Sequence, residues 1–278
     1  MGLLDGKVAF VSGAARGQGR SHALRLAHEG ADIIAVDITG QIGTVPYPMS
    51  TPDDLQQTVK EIEALDRRIV ATQADVRDFA GLKAQVDAGV AELGRLDIVS
   101  ANAGIFSFGT LEELTDESWN DMLGVNLTGV WHTIKATVPH IRAGGRGGSI
   151  ILTSSTAGLM AIPNIGHYVA AKHGVVGLMK TAALELAQDN IRVNSVHPTS
   201  VNTDMIQNAA TYELFAPDLE PAQRTKEVIG ERFQAMNVLP IPWVEAVDIS
   251  NAVLWLASDQ SRYVTGLELK IDAGQTLR

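Results

Sequence analysis

The chain of 278 residues contains no cysteine. That excludes a disulfide framework, a thiolate nucleophile and any cysteine metal site. Positive charge is also scarce: 22 Lys and Arg stand against 32 Asp and Glu, a net charge of −10. Such a balance repels phosphate backbones and anionic headgroups, so neither a nucleic acid nor a membrane surface is the expected partner. No apolar run approaches the ~18 residues of a membrane span. Met1 to Lys7 lacks a basic start, and Gly6 stands where a myristoylation signal needs Ser or Thr. The expected location is the cytoplasm. The seven histidines show no metal-ligand spacing, so no metal is expected. There is no internal repeat and no low-complexity tract. What remains is 45% apolar and 19% charged, the make-up of a globular chain long enough to bury a full core. One α/β domain over residues 1–278 is expected.

Short apolar runs alternate with helical patterns. Lys7–Ser12, Ala31–Asp37, Arg68–Asp75, Leu96–Ser100, Ser149–Thr153, Arg192–Val196 and Gly266–Ile271 read as seven strands. Helices are expected between them. Thr51-Pro52-Asp53-Asp54 supplies an N-cap, an N1 proline and an acidic first turn. Asp116–Ile141 reads as one long helix, and Gly166–Ala187 as another. This alternation predicts a doubly wound parallel sheet with helices on both faces. Two stretches break the pattern: an insertion loop at about 38–51 and a long mixed segment at about 199–244, expected to cover a substrate. Irregular segments of that length inside a compact domain are usually functional.

The turn after the first strand reads Gly13-Ala-Ala-Arg16-Gly17-Gln18-Gly19. Gly13 and Gly17 permit a tight turn and close backbone approach, and Gly19 lets helix and strand pack. The helix N-terminus can then receive a pyrophosphate. Asp37 ends the second strand, eighteen residues beyond Gly19. A carboxylate there can bond both ribose hydroxyls of an adenosine and repels a 2′-phosphate, which selects NAD over NADP. Arg16 pulls the other way, but Asp37 stands where the ribose must lie. Gln18 and Ile38 flank these residues and are counted with the cofactor contacts. Asp75 and Val76 are placed to touch the adenine edge. Asn102, Ala103 and Gly104 end the fourth strand with small residues that let a cofactor lie close. Pro198, Val201 and Thr203 follow the sixth strand, where they would meet a nicotinamide carboxamide.

Tyr168 and Lys172 are spaced i,i+4 and share one helix face. A phenol beside an ammonium is expected to have a lowered pKa and to exchange a proton readily. A hydroxyl from Ser154 or Ser155 could hold a substrate oxygen against it; neighbours on a strand face opposite ways, so only one can do so. His167, next to Tyr168, is offset by about 100° on a helix and reads as a loop or pocket residue, not the base. Met160, Ile162, Phe106 and Phe108 lie near these groups in sequence. Met205, Leu214, Phe215, Phe233, Met236 and Trp243 follow in the 199–244 segment. If they converge, the pocket is apolar and suits a hydrophobic secondary alcohol or ketone of terpenoid or steroid size.

Taken in order, these motifs resemble those of NAD-binding, single-domain short-chain dehydrogenases/reductases, a Rossmann-type family. The resemblance rests on Gly13-x3-Gly17-x-Gly19, Asp37, Asp75-Val76, Asn102-Ala103-Gly104, Asn126, Ser155, Tyr168-x3-Lys172, Pro198 with Thr203, and Asp272-Ala-Gly274. Ala101 and Thr199 depart from the family pattern without removing a reactive group. The thirteen-residue spacing from Ser155 to Tyr168 matches the family and favours that serine. The resemblance implies that Tyr168 is the base, that Lys172 supports it and orients the nicotinamide ribose, and that Ser155 fixes the substrate oxygen. It implies that Asn126 holds a water relaying protons from Lys172, and that the chain forms a homotetramer through the Asp116–Ile141 and Gly166–Ala187 helices. The opening GKVAFVSGAARGQGRSHALRLA, the 38–50 insertion, HYVAAKHGVVGLM and HPTSVNTDM look like the carveol-dehydrogenase-like branch, described as mycofactocin-associated. That narrower likeness implies a non-exchanging NAD reoxidised by an external redox carrier. Two alternatives are a non-catalytic NAD-binding sensor, which the intact Ser155–Tyr168–Lys172 set disfavours, and an NADP-using 3-oxoacyl-(acyl-carrier-protein) reductase, which Asp37 disfavours.

Overall fold

A computed structural model describes residues 2–278. Val8–Ser12 (β1) reads VAFVS and is buried at every position. A strand covered on both faces needs such an unbroken apolar run. Gly17–His28 (α1), Asp32–Asp37 (β2), Pro52–Glu63 (α2), Ile69–Gln73 (β3), Phe79–Leu93 (α3) and Ile98–Ala101 (β4) follow. Next come Asp116–Leu123 (α4), Gly129–Gly144 (α5), Gly148–Thr153 (β5), Gly166–Leu186 (α6) and Ile191–Pro198 (β6). Ala209–Phe215 (α7), Lys226–Gln234 (α8), Ala246–Ala257 (α9) and Glu268–Ile271 (β7) complete the order. The seven strands are the seven expected ones, with ends shifted by a few residues. At α2, Thr51 and Asp54 form a reciprocal capping box with Pro52 at the first position.

All seven strands pair in parallel, in the order β3-β2-β1-β4-β5-β6-β7. One apolar layer packs Val86, Ile141, Val175 and Met179 from α3, α5 and α6 against the sheet. The other packs Leu26, Ile62 and Val253 from α1, α2 and α9 against the opposite face. Chain order reverses between β1 and β4. At such a switch point the loops leaving the strands' carboxyl ends splay apart and open a crevice.

The expected helix over Asp116–Ile141 is interrupted. Residues Gly124–Thr128 form a π-turn between α4 and α5. The side chain of Asn126 explains it: its Oδ1 accepts from Ile105 N at 2.9 Å and its Nδ2 donates to Ile105 O at 2.9 Å. An amide bonded to a neighbouring loop's backbone draws that turn sideways, and one extra residue widens it.

The insertion after β2 has no helix or strand. It is organised by Gln41, whose amide donates to Ile42 O, Val45 O and Tyr47 O, and accepts from Met49 N. Four main-chain groups thus find partners in one side chain, as buried backbone requires. The 199–244 segment folds over itself, with a small core of Ala216, Ile229 and Phe233. Its ends are joined by a parallel bridge between Val201 and Val244. No helix among the described residues is long and apolar enough to cross a membrane.

Candidate active site

Tyr168 and Lys172 both lie on α6. Lys172 is buried at 4% exposure, and its Nζ donates to Thr153 O at 2.9 Å. It stands 5.5 Å from the centre of the Tyr168 ring. Phe106 packs edge-on against that ring at 5.3 Å. Ser155 follows β5 and caps a short turn, accepting from Ala157 N at 3.1 Å. Its hydroxyl lies near enough to the Tyr168 phenol to lower the phenol's pKa somewhat. Ser154 points the other way and donates to Lys172 O at 3.1 Å. That leaves Ser155 as the serine facing the phenol.

Burial pushes the Tyr168 phenol up to about 12, against the opposing pull of the Ser155 hydroxyl. Burial also lowers the Lys172 ammonium to about 8. The expectation of a lowered phenol is therefore corrected for the protein alone. The ammonium is spent on Thr153 O and lies over the ring's face, so desolvation outweighs its charge.

His197, on β6, supports Ser155 from behind. Its Nδ1 donates to Ser155 O at 2.9 Å, while its Nε2 meets Ser195 Oγ at 2.8 Å. A carbonyl only accepts, which fixes the proton on Nδ1. His167 does not line the pocket, contrary to expectation. It is fully buried, with Nε2 bonded to Ser107 Oγ at 2.9 Å.

Two clefts meet at these residues. The first runs over the glycine turn toward β2. Gly13, Gly17, Gly19, Arg16 and Gln18 form its floor, Asp37, Ile38, Asp75 and Val76 its far end, and Asn102, Ala103 and Gly104 its near wall. The glycines are required by geometry. Gly13 has φ 68°, and a Cβ on it would lie 2.9 Å from Ala103 Cα. A Cβ on Gly19 would lie 1.9 Å from Gly13 O.

Asp37 is 6% exposed and accepts from Ala15 N at 2.9 Å, Thr39 N at 3.2 Å and Ser50 Oγ at 2.5 Å. Arg16 is neutralised by Asp204 at 3.1 Å and also donates to Pro48 O. Asp75 is gripped by its neighbour Arg77, at 2.7 Å. The insertion roofs this cleft with Ile42, Tyr47, Met49 and Ser50. Tyr47 is buried, and its hydroxyl accepts from Phe106 N at 3.2 Å. Nothing in the sequence pattern singled out Tyr47 or His197, because their partners lie 59 and 42 residues away.

The second cleft, of about 380 Å³, is lined by Ser155, Tyr168, Lys172, Pro198, Val201 and Thr203. Phe106, Ile162, Met205, Leu214, Phe215 and Met236 supply its apolar walls. Phe233 and Trp243 instead build the small core of the 199–244 segment, and Phe108 packs against Phe106 at 6.3 Å. Met160 does not reach the wall. Gln18 and Thr203 line both clefts, so the two are continuous. Asn126 sits behind Gly104, its amide committed to Ile105. Among the described residues no group of three or more His, Asp or Glu could hold a metal.

The same fold is found in known proteins of similar sequence. The model of the family "short chain dehydrogenase" matches residues 7–213. A (−)-trans-carveol dehydrogenase of Rhodococcus erythropolis is 56% identical over 279 residues, covering 100% of each chain. The crystal structure of carveol dehydrogenase from Mycobacterium avium in complex with NAD superposes with a TM-score of 0.98 at 59% identity, covering 100% of both chains. That of a short chain dehydrogenase from Mycobacterium paratuberculosis bound to NAD gives 0.90 at 47%, again covering 100% of both. A family model over residues 7–213 and an identity near 60% along the whole length, on the same sheet, place this chain in the short-chain dehydrogenase family.

Proposed function

We propose that the protein is an NAD-dependent dehydrogenase of hydrophobic secondary alcohols, working reversibly on the matching ketones. The observation that carries this reading is the meeting of Ser155, Tyr168 and Lys172 at the junction of a nucleotide-shaped cleft and an apolar one. The first cleft fits NAD on its own chemistry. Gln18 Oε1 is buried there without a protein partner, the glycine floor leaves no room for a Cβ, and Asp37 stands where a 2′-phosphate would be repelled. The carveol dehydrogenase likeness supports an alcohol of terpenoid size.

When bound, NAD would supply a hydride acceptor. Ser155 would hold the substrate oxygen by a hydrogen bond, and Tyr168 would take the proton of the substrate hydroxyl. A phenol at about 12 in the empty protein is a poor base near neutrality. Its proton must go while a positive charge is near, and Lys172 is the protein's own source. Apolar walls exclude water and keep the alcohol oriented.

Two finer elements belong to the same reading. The insertion works as a strap over NAD, pinned by Tyr47 to Phe106 and joined through Arg16 to Asp204, which supports slow cofactor release and a separate redox carrier of the mycofactocin kind. The chain assembles as a cytoplasmic homotetramer. In support, Trp131 and Leu184 stand 45% and 81% exposed on α5 and α6, where a partner subunit would cover them.

The test uses purified protein. Acid-released nucleotide is identified by mass spectrometry, and oxidation of carveol and cyclic secondary alcohols is followed with and without an artificial electron acceptor. NAD in the extract and ketone formation support the reading. Bound NAD with no ketone from any alcohol would reject it. Ready turnover with added NAD alone would remove the carrier.

A further inference from the structure

The turn after β7 breaks a local rule. Ala273 and Gly274 both take left-handed conformations, with φ 50° and 80°. A side chain at such φ is strained, and strain of this kind persists only where surrounding structure enforces it. Here it is enforced from both sides. The Asp272 carboxylate accepts from Gly274 N at 3.0 Å, Thr276 N at 3.0 Å and Thr276 Oγ1 at 2.7 Å. Ala273 O accepts from both Val238 N and Leu239 N at 2.9 Å. A Cβ on Gly274 would lie 2.7 Å from Val238 Cβ.

The residue so positioned is Gln275. It is 8% exposed and lines the apolar cleft, yet its Oε1 is buried without a hydrogen-bond partner. A buried polar atom left unpaired is costly, and native chains rarely keep one without use. Two other unpaired oxygens belong to residues of this cleft, Gln18 Oε1 and Thr153 Oγ1. Gln18 lies on the nucleotide floor, and Thr153 lies beside Lys172. Gln275 comes from neither; it shares its wall with Thr199 and Met236. Thr199 Oγ1 is already bonded to Asn237 Oδ1 at 3.2 Å.

We propose that Gln275 is a substrate-recognition residue whose side-chain amide turns at the cleft wall, bringing its buried Oε1 out to accept a hydrogen bond from a second, uncharged hydroxyl on the alcohol substrate. This rests on the reading of the cleft as an alcohol site. An accepting oxygen calls for a donor, hence a hydroxyl. The second group is uncharged because Lys172 is the only cation among the described residues of the wall, and it is spent on Thr153 O. A substrate carboxylate would be buried without a counter-ion. The substrate is then a cyclic diol or hydroxylated terpenoid, not a plain alkanol.

The experiment compares kcat/KM for 1,3- and 1,4-cyclohexanediols, size-matched methylcyclohexanols and 4-hydroxycyclohexanecarboxylate. Wild type should favour its best diol over the best methylcyclohexanol by about tenfold beyond the twofold statistical factor. Gln275→Leu should bring that ratio close to the statistical one, and Gln275→Met should do the same if the leucine variant does not fold. Absence of a diol preference in wild type, its persistence in the variants, or a preference for the carboxylate would each overturn the proposal. Failure of wild type to oxidise any of these alcohols would instead sink the alcohol-site reading, and the assignment of Gln275 with it.

Discussion

Tyr168 and Lys172 are legible in the sequence because their relation is local, whereas the choice of Ser155 over Ser154 rests on the family resemblance. A helix puts i and i+4 on one face, whatever the rest of the chain does. Their environment is not local, and it reverses the expected pKa of the phenol. With Tyr168 as the base, Tyr168→Phe should lower kcat by about 10²–10⁴-fold while NAD remains in the acid extract; near-normal turnover would reject that assignment. Asp37 is a second residue whose place is legible from position alone: the end of β2 brings it to the cleft wall. Its neighbours were not legible: Ser50 and the Ala15 amide reach it from elements far apart in sequence. Replacing Asp37 by serine removes the charge that excludes a 2′-phosphate. The NAD-to-NADP ratio of kcat/KM should fall by at least about tenfold, taking one such like-charge contact as worth a pKa unit or more. An unchanged ratio would move the discriminating group elsewhere. Gln275 shows the opposite limit. Its sequence neighbours Asp272 and Gly274 form a motif, but only the fold shows that the turn brings Gln275 to the cleft wall.

Among elements, the strands were recognised nearly whole, because a fully buried parallel strand is an uninterrupted apolar run. The helix over Asp116–Ile141 was not, since its interruption comes from a side-chain bond across to Ile105 and no glycine or proline marks a break unambiguously. The insertion was recognised as an anomaly, but its form was hidden. One glutamine gathers four backbone groups, and one tyrosine docks on the loop after β4. Removing residues 40–48 deletes both fasteners. If the insertion retains the cofactor, NAD dissociation should speed up by at least about tenfold, the loss of one buried hydrogen bond to a fastener alone being worth about 1–1.5 kcal/mol. Stopped-flow displacement of NAD by an analogue reads this directly, and an unchanged rate would limit the insertion to shaping the adenosine end.

For the molecule as a whole, the doubly wound parallel sheet followed from the alternation of strands and helices, while the strand order is read from the fold. Its buried histidines are likewise read from the fold. His22 packs between α1 and α9, with Nδ1 bonded to Ser250 Oγ at 2.8 Å, and burial lowers it to about 3. Burial lowers His167 and His197 as well. A histidine whose folded pKa lies below its unfolded value binds more protons when unfolded. Stability is therefore highest above about 6.5, the unfolded value, and declines as pH falls through that point. His22, with its folded value far below the unfolded one, adds a slope of up to about 1.4 kcal/mol per pH unit. Urea unfolding midpoints should drop between pH 7 and 5, and His22→Gln should flatten that dependence. A profile that stays level over this range would mean that these rings take up protons as readily in the fold as in the unfolded chain.

The bridge between Val201 and Val244 has an evolutionary consequence. Asn202 N bonds Val244 O at 2.9 Å and Val244 N bonds Ser200 O at 3.0 Å, so everything between leaves and rejoins the sheet at one neck. Closing a longer excursion at a fixed neck costs only about 0.6 kcal/mol per doubling of length. Thr203 to Met205 stay fixed by the nucleotide cleft and Val238 and Leu239 by Ala273, so descendants of this chain can lengthen or shorten 206–236 cheaply. Lineages would diverge in diet there while the cofactor cleft below stands still.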